Sequence, residues 1–148
     1  MIVSVVVPMK DEEGSLPVLA REMAELERLL AEQGHAIEVL LVDDGSTDGT
    51  AAAAERWCAG GPGRRLLRHE RNRGFGAGLR TGVGASHGDV VVSYDADCAY
   101  PAGDVLPQLA VMFHGVARAV PDVDARRRSD RAPALRRILV RARVPDRL

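Results

Sequence analysis

The sequence Val90-Val91-Val92-Ser93-Tyr94-Asp95-Ala96-Asp97 joins a β-branched run to two carboxylates. A run this short and this rich in valine is typical of a buried strand. Two carboxylates that leave a strand with one residue between them can both point at one divalent cation, and such a cation bridges phosphate oxygens. Asp95 and Asp97 are therefore candidate ligands of a metal-bound diphosphate, although aspartates in a turn can also simply cap backbone amides.

Apolar runs with strand character alternate with helical patterns along the chain before this stretch. The alternation predicts an α/β fold with a mostly parallel sheet covered on both faces, and ligands bound at the carboxyl ends of the strands. The predicted strands are Ile2–Val7, Ile37–Val42, Arg65–His69 and Val90–Tyr94. The predicted helices run from a cap at Ser15 to a stop at Gly34, from Thr50 to about Cys58, and from Gly74 to Ala85.

Charge divides the 148 residues into two parts. Residues 1–110 carry 10 Lys and Arg against 17 Asp and Glu (−7), whereas residues 111–148 carry 10 against 4 (+6). We expect one domain over residues 1–112, followed by an Arg-rich tail over residues 113–148. The tail is either disordered, even a frameshifted reading of the gene, or a basic amphipathic helix over residues 134–141 at an anionic membrane surface.

Composition also bears on location and partners. Aromatic residues make up only 3% of the chain, so nucleic-acid binding by base stacking is not expected. Cys58 and Cys98 are isolated thiols, and the chain opens without a signal-peptide pattern, as expected of a cytoplasmic protein. Since no apolar run is long enough to cross a bilayer, any membrane contact should be peripheral. The four histidines show no ligand spacing, so we expect them at the surface or in loops.

A second acidic motif follows the second predicted strand, at Asp43–Thr50. Its carboxylates could accept hydrogen bonds from ribose hydroxyls or base N–H groups, and its hydroxyls could cap a helix. From Asp44 to Glu55 it also has the spacing of a calcium-binding EF-hand loop. A calcium-binding module is therefore an alternative, but the element before this loop has the pattern of a strand, whereas an EF-hand needs a helix there.

A glycine-rich motif spans Arg71–Arg80 and matches neither the dinucleotide fingerprint nor the P-loop. Its backbone amides and Arg80 could lie against a phosphate at the start of a helix. A solvated charged surface is an equal interpretation of its arginines.

Four motifs in this order, Ser4–Glu13, Leu41–Thr50, Asn72–Gly74 and Gly88–Asp97, resemble family 2 glycosyltransferases, in particular the polyprenol-phosphate mannosyltransferases. The resemblance covers about residues 2–110. It implies a Rossmann-like GT-A fold, incomplete at the C-terminus, a Mg²⁺ or Mn²⁺ ion and a nucleotide-sugar donor such as GDP-mannose or a UDP-sugar. It further implies a metal-assisted inverting transfer to an acceptor such as a polyprenyl phosphate, in cell-wall or glycolipid biosynthesis.

The resemblance also implies roles for individual residues. The nucleotide-sugar would contact Pro8, Glu12, Asp43, Asp44, Arg80 and Asp95, and Asp95 and Asp97 would bind the metal as a DXD motif. No catalytic base can be assigned. Two departures affect the site: Lys10 replaces an aromatic residue found in many relatives, and Ala99 replaces a glutamine that can complete the metal shell. Since residues 114–148 do not show the family's acceptor-binding pattern, we expect that half to be absent or replaced, and an inactive donor-binding fragment is an alternative to an active enzyme.

Overall fold

The computed structural model describes residues 1–99, 101–105 and 139–141, in which strands and helices alternate. The strands are β1 (Ile2–Met9), β2 (Ala36–Asp43), β3 (Arg64–Arg68), β4 (Val90–Ser93) and β5 (Leu139–Arg141). The helices are α1 (Leu16–Glu32), α2 (Thr50–Ala59), α3 (Phe75–Ala85) and a short 3-10 helix at Ala102–Val105. Each strand and helix predicted before residue 112 is present, with boundaries within two residues of the prediction.

The strands form one parallel sheet in the order β3-β2-β1-β4-β5. In its centre Val5 of β1 lies beside Val39 of β2 and Val92 of β4. All three side chains are buried, as expected of strands covered on both faces. The predicted parallel α/β sheet is therefore confirmed.

Alternate residues of β1 contact different helices because successive side chains of a strand point to opposite faces. Val5 belongs to the larger apolar cluster, which includes Leu19 of α1 and Ala54 of α2. Val6 belongs to a second cluster, which includes Leu79 of α3. Helices α1 and α2 thus cover one face of the sheet and α3 covers the other.

Helix α3 packs closely on the sheet because glycine faces it. A Cβ atom at Gly82 would lie 2.2 Å from Cγ1 of Val6, and one at Gly78 would lie 3.2 Å from Cβ of Pro8. Several glycines of the Arg71–Arg80 region and its continuation therefore serve helix packing, in addition to any role in a phosphate-binding turn.

Strand β5 extends the sheet from within the predicted tail. Its backbone pairs with β4 from Val91 opposite Leu139 to Ser93 opposite Arg141. The apolar pair Leu139 and Val140 favours a strand, and a helix over residues 134–141 does not agree with this pairing. The rest of the tail, for which disorder or a basic helix was expected, lies outside the described residues. Within the described part of the chain, no helix is both long enough and apolar enough to span a membrane.

Candidate functional site

The three loops that follow β1, β2 and β4 meet at the carboxyl edge of the sheet, where switch-point ligands bind in this class of fold. With the loop before α3 they enclose an open cavity of about 410 Å³. Its lining residues are Pro8, Met9, Lys10, Glu12, Asp44, Asn72, Gly74, Phe75, Asp95, Ala96 and Asp97. Five of the seven predicted site residues, all except Asp43 and Arg80, therefore lie around one space.

The acidic pair forms a tight turn directly after β4. Asp95 is half-buried and Asp97 is exposed, with the buried Ala96 between them. The Cys98 amide donates to the Asp95 carbonyl oxygen at 3.1 Å, and the Ala99 amide donates to Oδ1 of Asp97 at 3.2 Å. The Asp97 carboxylate thus caps a backbone amide, and its second oxygen makes no such bond within the described residues.

The donor set suits a cation that is held only partly by protein. No group of three or more His, Cys, Asp or Glu side chains within the described ranges could enclose a metal ion. Magnesium in proteins is commonly bound through one or two carboxylates, with phosphate oxygens and water completing its shell. Asp95 and Asp97 fit this mode of binding, since Ala99 offers no side-chain oxygen as a third ligand.

The loop after the acidic pair is tied to α1 through Glu22. The Ala102 amide donates to Oε2 of Glu22 at 2.6 Å. Cys98 packs against the apolar core beneath this loop. Burial, and next the nearby Glu22 carboxylate, raise the pKa of the Cys98 thiol to about 11. This cysteine therefore stays protonated and anchors the loop by packing.

The loops after β1 and β2 are joined by reciprocal hydrogen bonds. The Asp11 amide donates to Oγ of Ser46 at 2.9 Å, and the Thr47 amide donates back to Oδ1 of Asp11 at 2.7 Å. The Glu12 amide donates to Oγ1 of Thr50 at 2.7 Å. Asp11 adopts a left-handed conformation (φ 54°), which Asp tolerates better than most residues. These bonds fix the side of the cavity formed by β1.

The same bonds argue against the calcium-binding alternative. Ser46 is engaged by Asp11, and Asp48 accepts from the Thr50 and Glu13 amides at 2.9 and 3.3 Å. The element before the loop is strand β2, where an EF-hand needs a helix. The oxygens that would ligate calcium therefore hold two loops together.

Asp44 lies in the cavity wall, but both of its carboxylate oxygens already make hydrogen bonds within the protein. Oδ1 lies 2.6 Å from Nδ1 of His69 and accepts from the Arg73 amide at 2.9 Å, while Oδ2 accepts from the Gly74 amide at 2.7 Å. Burial is the largest influence and acts to raise the pKa of Asp44, but these hydrogen bonds together outweigh it and lower the pKa. Asp44 is therefore an ionised residue that shapes the wall.

Asp43, by contrast, has an unused acceptor. Its side chain is about 1% exposed, and Oδ1 accepts from the Ser46 amide at 3.0 Å. Oδ2 is buried without a hydrogen-bond donor, although Nε of Arg68 lies 3.4 Å away in an ion pair. A buried carboxylate oxygen without a donor is costly, and the ion pair with Arg68 offsets part of that cost.

The structure separates Arg80 from the other predicted site residues. Arg80 is exposed on α3, with Nη1 near Gly76 of its own first turn, and it does not line the cavity. Lys10, which was noted as a departure from the family pattern, does line it and pairs with Asp11 at 2.5 Å. The hydrogen bond from Lys10 to Asp11 raises the Lys10 pKa and holds that of Asp11 at about 2.

The cavity is lined by more acidic than basic side chains. Four carboxylates, those of Glu12, Asp44, Asp95 and Asp97, line it together with one ammonium group, that of Lys10. A diphosphate could not approach this set of charges without a cation to screen them. The electrostatics of the cavity therefore favour a ligand that brings or shares a divalent metal ion.

Sequence reasoning missed two residues of this region, the first of which is His69, behind the cavity wall. It lies in the loop after β3, as a surface or loop position was expected, but its side chain is about 5% exposed, between Asp44 and Thr81 of α3. The available signal was its place directly after β3, at the same edge of the sheet as the acidic motifs. Phe75 was missed as well, and its half-exposed ring forms the apolar part of the cavity rim.

Comparison with known proteins adds family information to this geometry. The sequence profile of glycosyl transferase family 2 matches residues 4–146. The chain is 41% identical over 110 residues to an undecaprenyl-phosphate 4-deoxy-4-formamido-L-arabinose transferase of Pseudomonas aeruginosa, covering 70% of this chain and 30% of that protein. It is 41% identical over 108 residues to the dolichyl-phosphate beta-glucosyltransferase of Mus musculus, covering 69% of this chain and 33% of that protein.

Solved structures share the fold. The mannosyltransferase PcManGT from Pyrobaculum calidifontis, in complex with GDP-Man and Mn²⁺, superposes with a TM-score of 0.59 and 32% identity, over 70% of this chain and 30% of that one. TarS of S. aureus in complex with UDP-GlcNAc superposes with a TM-score of 0.61 and 24% identity, over 79% of this chain and 32% of that one. The chain thus spans about a third of the length of the relatives that it matches.

Proposed function

The chain belongs to glycosyl transferase family 2 and has the GT-A fold, and from this premise we propose that it binds a nucleotide-sugar and transfers the sugar to a polyprenyl phosphate. The observation that carries the proposal is the cavity at the carboxyl edge of the sheet, where Asp95 and Asp97 face the loops after β1 and β2. The relatives named above supply the acceptor class, since two of them are named for transfer to undecaprenyl or dolichyl phosphate.

The nucleoside would lie against the ends of β1 and β2. Asp43 lies directly behind this part of the wall and does not line the cavity, so its buried oxygen Oδ2 could accept from a base N–H or a ribose hydroxyl only after the wall had moved. Pro8 and Glu12 line the same side of the cavity. Asp44 lines this side as well, and because its carboxylate accepts from the Arg73 and Gly74 amides we infer that it supports the cavity wall.

The diphosphate would lie near the acidic turn. Asp95 and Asp97 would hold Mg²⁺ or Mn²⁺, and the bound ion would supply positive charge that neutralises the departing diphosphate. Lys10 adds a second positive charge to the cavity wall. Arg80 would contribute at most from a distance, since it does not line the cavity in this structure.

Transfer would invert the configuration at the anomeric carbon of the sugar. An acceptor oxygen forms the new C–O bond on one face of the sugar while the bond to the diphosphate oxygen breaks on the other. A phosphate acceptor is already anionic, so this reaction needs no proton-abstracting side chain. A lipid-borne acceptor would place the reaction at a membrane surface, with the protein peripheral to it.

Calorimetry tests the donor site directly. We expect GDP or UDP to bind the folded chain in the presence of Mn²⁺ and to bind far more weakly without it. Asp95→Asn and Asp97→Asn should each weaken Mn²⁺-dependent binding by about tenfold or more, because each removes a charged metal ligand. Asp104→Asn is the matched control, since Asp104 is exposed in the 3-10 helix and does not line the cavity. Metal-independent binding in all three variants would refute the metal assignment.

Donor binding without transfer is the second candidate, because the cavity residues described above account for the donor and the metal ion and none of them is assigned to the acceptor. The two candidates differ in product formation. Incubation with labelled GDP-mannose or UDP-glucose and a short-chain polyprenyl phosphate should yield a labelled lipid if the chain is active. Nucleotide binding without labelled lipid would instead support the binding-only candidate.

A further inference from the structure

A buried chain of side chains connects β3, β2 and α3 behind the cavity wall. His69, directly after β3, lies with Nδ1 2.6 Å from Oδ1 of Asp44 and with Nε2 2.9 Å from Oγ1 of Thr81. An ionised carboxylate only accepts hydrogen bonds, so Nδ1 of His69 must carry the proton that is shared with Asp44. In the neutral ring Nε2 then accepts from the Thr81 hydroxyl. The imidazole is thus held at both nitrogens and cannot turn.

Asp44 connects the fixed imidazole to the cavity wall. Its two oxygens receive the Arg73 and Gly74 amides, which belong to the loop that carries Asn72 and Phe75 into the cavity. The Gly74 amide also lies 2.9 Å from Oδ1 of Asn72, a bond that stays within the loop. Only the bond to Asp44 connects the Gly74 amide to the sheet, and Gly74 holds φ +86° there.

We propose that His69 is a positioning residue for the donor site: it orients the Asp44 carboxylate, which in turn fixes the loop from Asn72 to Phe75 at the cavity wall. The proposal deepens the donor-binding function proposed above and rests on it. Among the described residues that line the cavity, the His69 side chain hydrogen-bonds to Asp44 alone, so it acts through Asp44 and not on the nucleotide-sugar itself.

Two substitutions distinguish the hydrogen bond made by Nδ1 of His69 from the one made by Nε2. His69→Asn places an amide N–H near the position of Nδ1 and can still donate to Asp44. His69→Gln reaches toward the position of Nε2, can still bond to Thr81, and leaves Oδ1 of Asp44 without its donor. Both replace the imidazole by a polar amide, and Asn leaves the larger gap, so a purely packing role would make His69→Asn at least as damaging as His69→Gln.

The exchange rate of the Gly74 amide hydrogen, measured by NMR, reports on the loop. The affinity for GDP in the presence of Mn²⁺, measured by calorimetry, reports on the cavity. We expect His69→Gln to speed Gly74 exchange by about tenfold and to weaken GDP binding by a similar factor, and His69→Asn to stay near the parent value for both. Parental Gly74 exchange in a folded His69→Gln variant, or equal loss in both variants, would overturn the proposal.

Two further outcomes are informative. If His69→Gln does not fold, Thr81→Val tests the same chain of bonds, and it should speed Gly74 exchange measurably; no change would overturn the proposal. If the parent chain binds no nucleotide, the donor-binding function fails, while Gly74 exchange still decides whether His69 positions the loop.

Discussion

At the scale of single residues, two glycines of α3 have opposite surroundings. Gly82 faces the sheet, and a Cβ there would lie 2.2 Å from Cγ1 of Val6, whereas a Cβ at Gly84 would meet nothing within 4 Å. We expect Gly82→Ala to lower the free energy of unfolding by about 1 to 3 kcal/mol through overpacking. Gly84→Ala is the control and should raise it by about 0.5 to 1 kcal/mol through helix propensity. Urea unfolding measures both, and equal stability of the two variants would contradict the packing of α3 described above.

Single residues also show where prediction from sequence stops. Asp95 and Asp97 could be placed at the site because a strand pattern and its end are local properties of the sequence. Asp44 follows a predicted strand in the same way and also lines the cavity, but its partner His69 is 25 residues away, and a hydrogen bond across that distance leaves no pattern in the sequence. Arg80 was assigned to the ligand because its charge is visible in the sequence, whereas its exposure on α3 is not.

At the scale of elements, a buried carboxylate joins β1, β2 and the loop before β4 at the amino edge of the sheet. Glu38 accepts from Oγ of Ser4 at 2.7 Å, from the His87 amide at 2.9 Å and from Nη1 of Arg65 at 3.0 Å. The Gly88 amide in turn donates to Oγ of Ser4 at 2.8 Å. This cluster connects β1, β2 and the start of β4 at the amino ends of these strands.

The cluster should make stability depend on pH. Burial is the largest influence on Glu38 and acts to raise its pKa, but the bonds from His87 and Ser4 outweigh burial and lower the pKa below the ordinary 4.5. A lowered pKa stabilises the fold above pH 4.5, and this contribution is lost as the pH falls through the folded value. Glu38→Gln should therefore cost about 2 kcal/mol at pH 7 and less near pH 3. Urea unfolding across this pH range checks it, with the exposed Glu70→Gln as control. A cost independent of pH would contradict the prediction.

Most helices and strands could be predicted because the sequence patterns that specify them are local. The β-branched runs of β1, β2 and β4 are bounded by turn residues, and the apolar spacing of α1 is helical, so each could be placed within two residues. Strand β5 was not predicted, because three residues within an Arg-rich segment give too short a pattern, and only pairing with β4 defines them.

At the scale of the whole molecule, the parallel sheet explains why residues far apart in sequence meet at one cavity. Its four leading strands end at the same edge, so the loops after β1, β2 and β4 converge there with the loop before α3. The opposite edge carries the Glu38 cluster, which has no part in the cavity. The Glu38 cluster, which contributes to stability, and the proposed ligand site thus lie at opposite ends of the same strands. Substitutions at one end should leave the other end largely intact.

The order of the sheet leads to a test of the predicted boundary near residue 112. Strand β5 pairs along β4, so a chain that ends at residue 112 would leave the outer edge of β4 unpaired. Unpaired strand edges favour association between chains. We expect this truncation to lower the free energy of unfolding and to raise the apparent mass in light scattering, whereas a chain ending at residue 141 should behave as the full chain does. Unchanged stability and mass after truncation at residue 112 would instead support an independent domain over residues 1–112 with a dispensable tail.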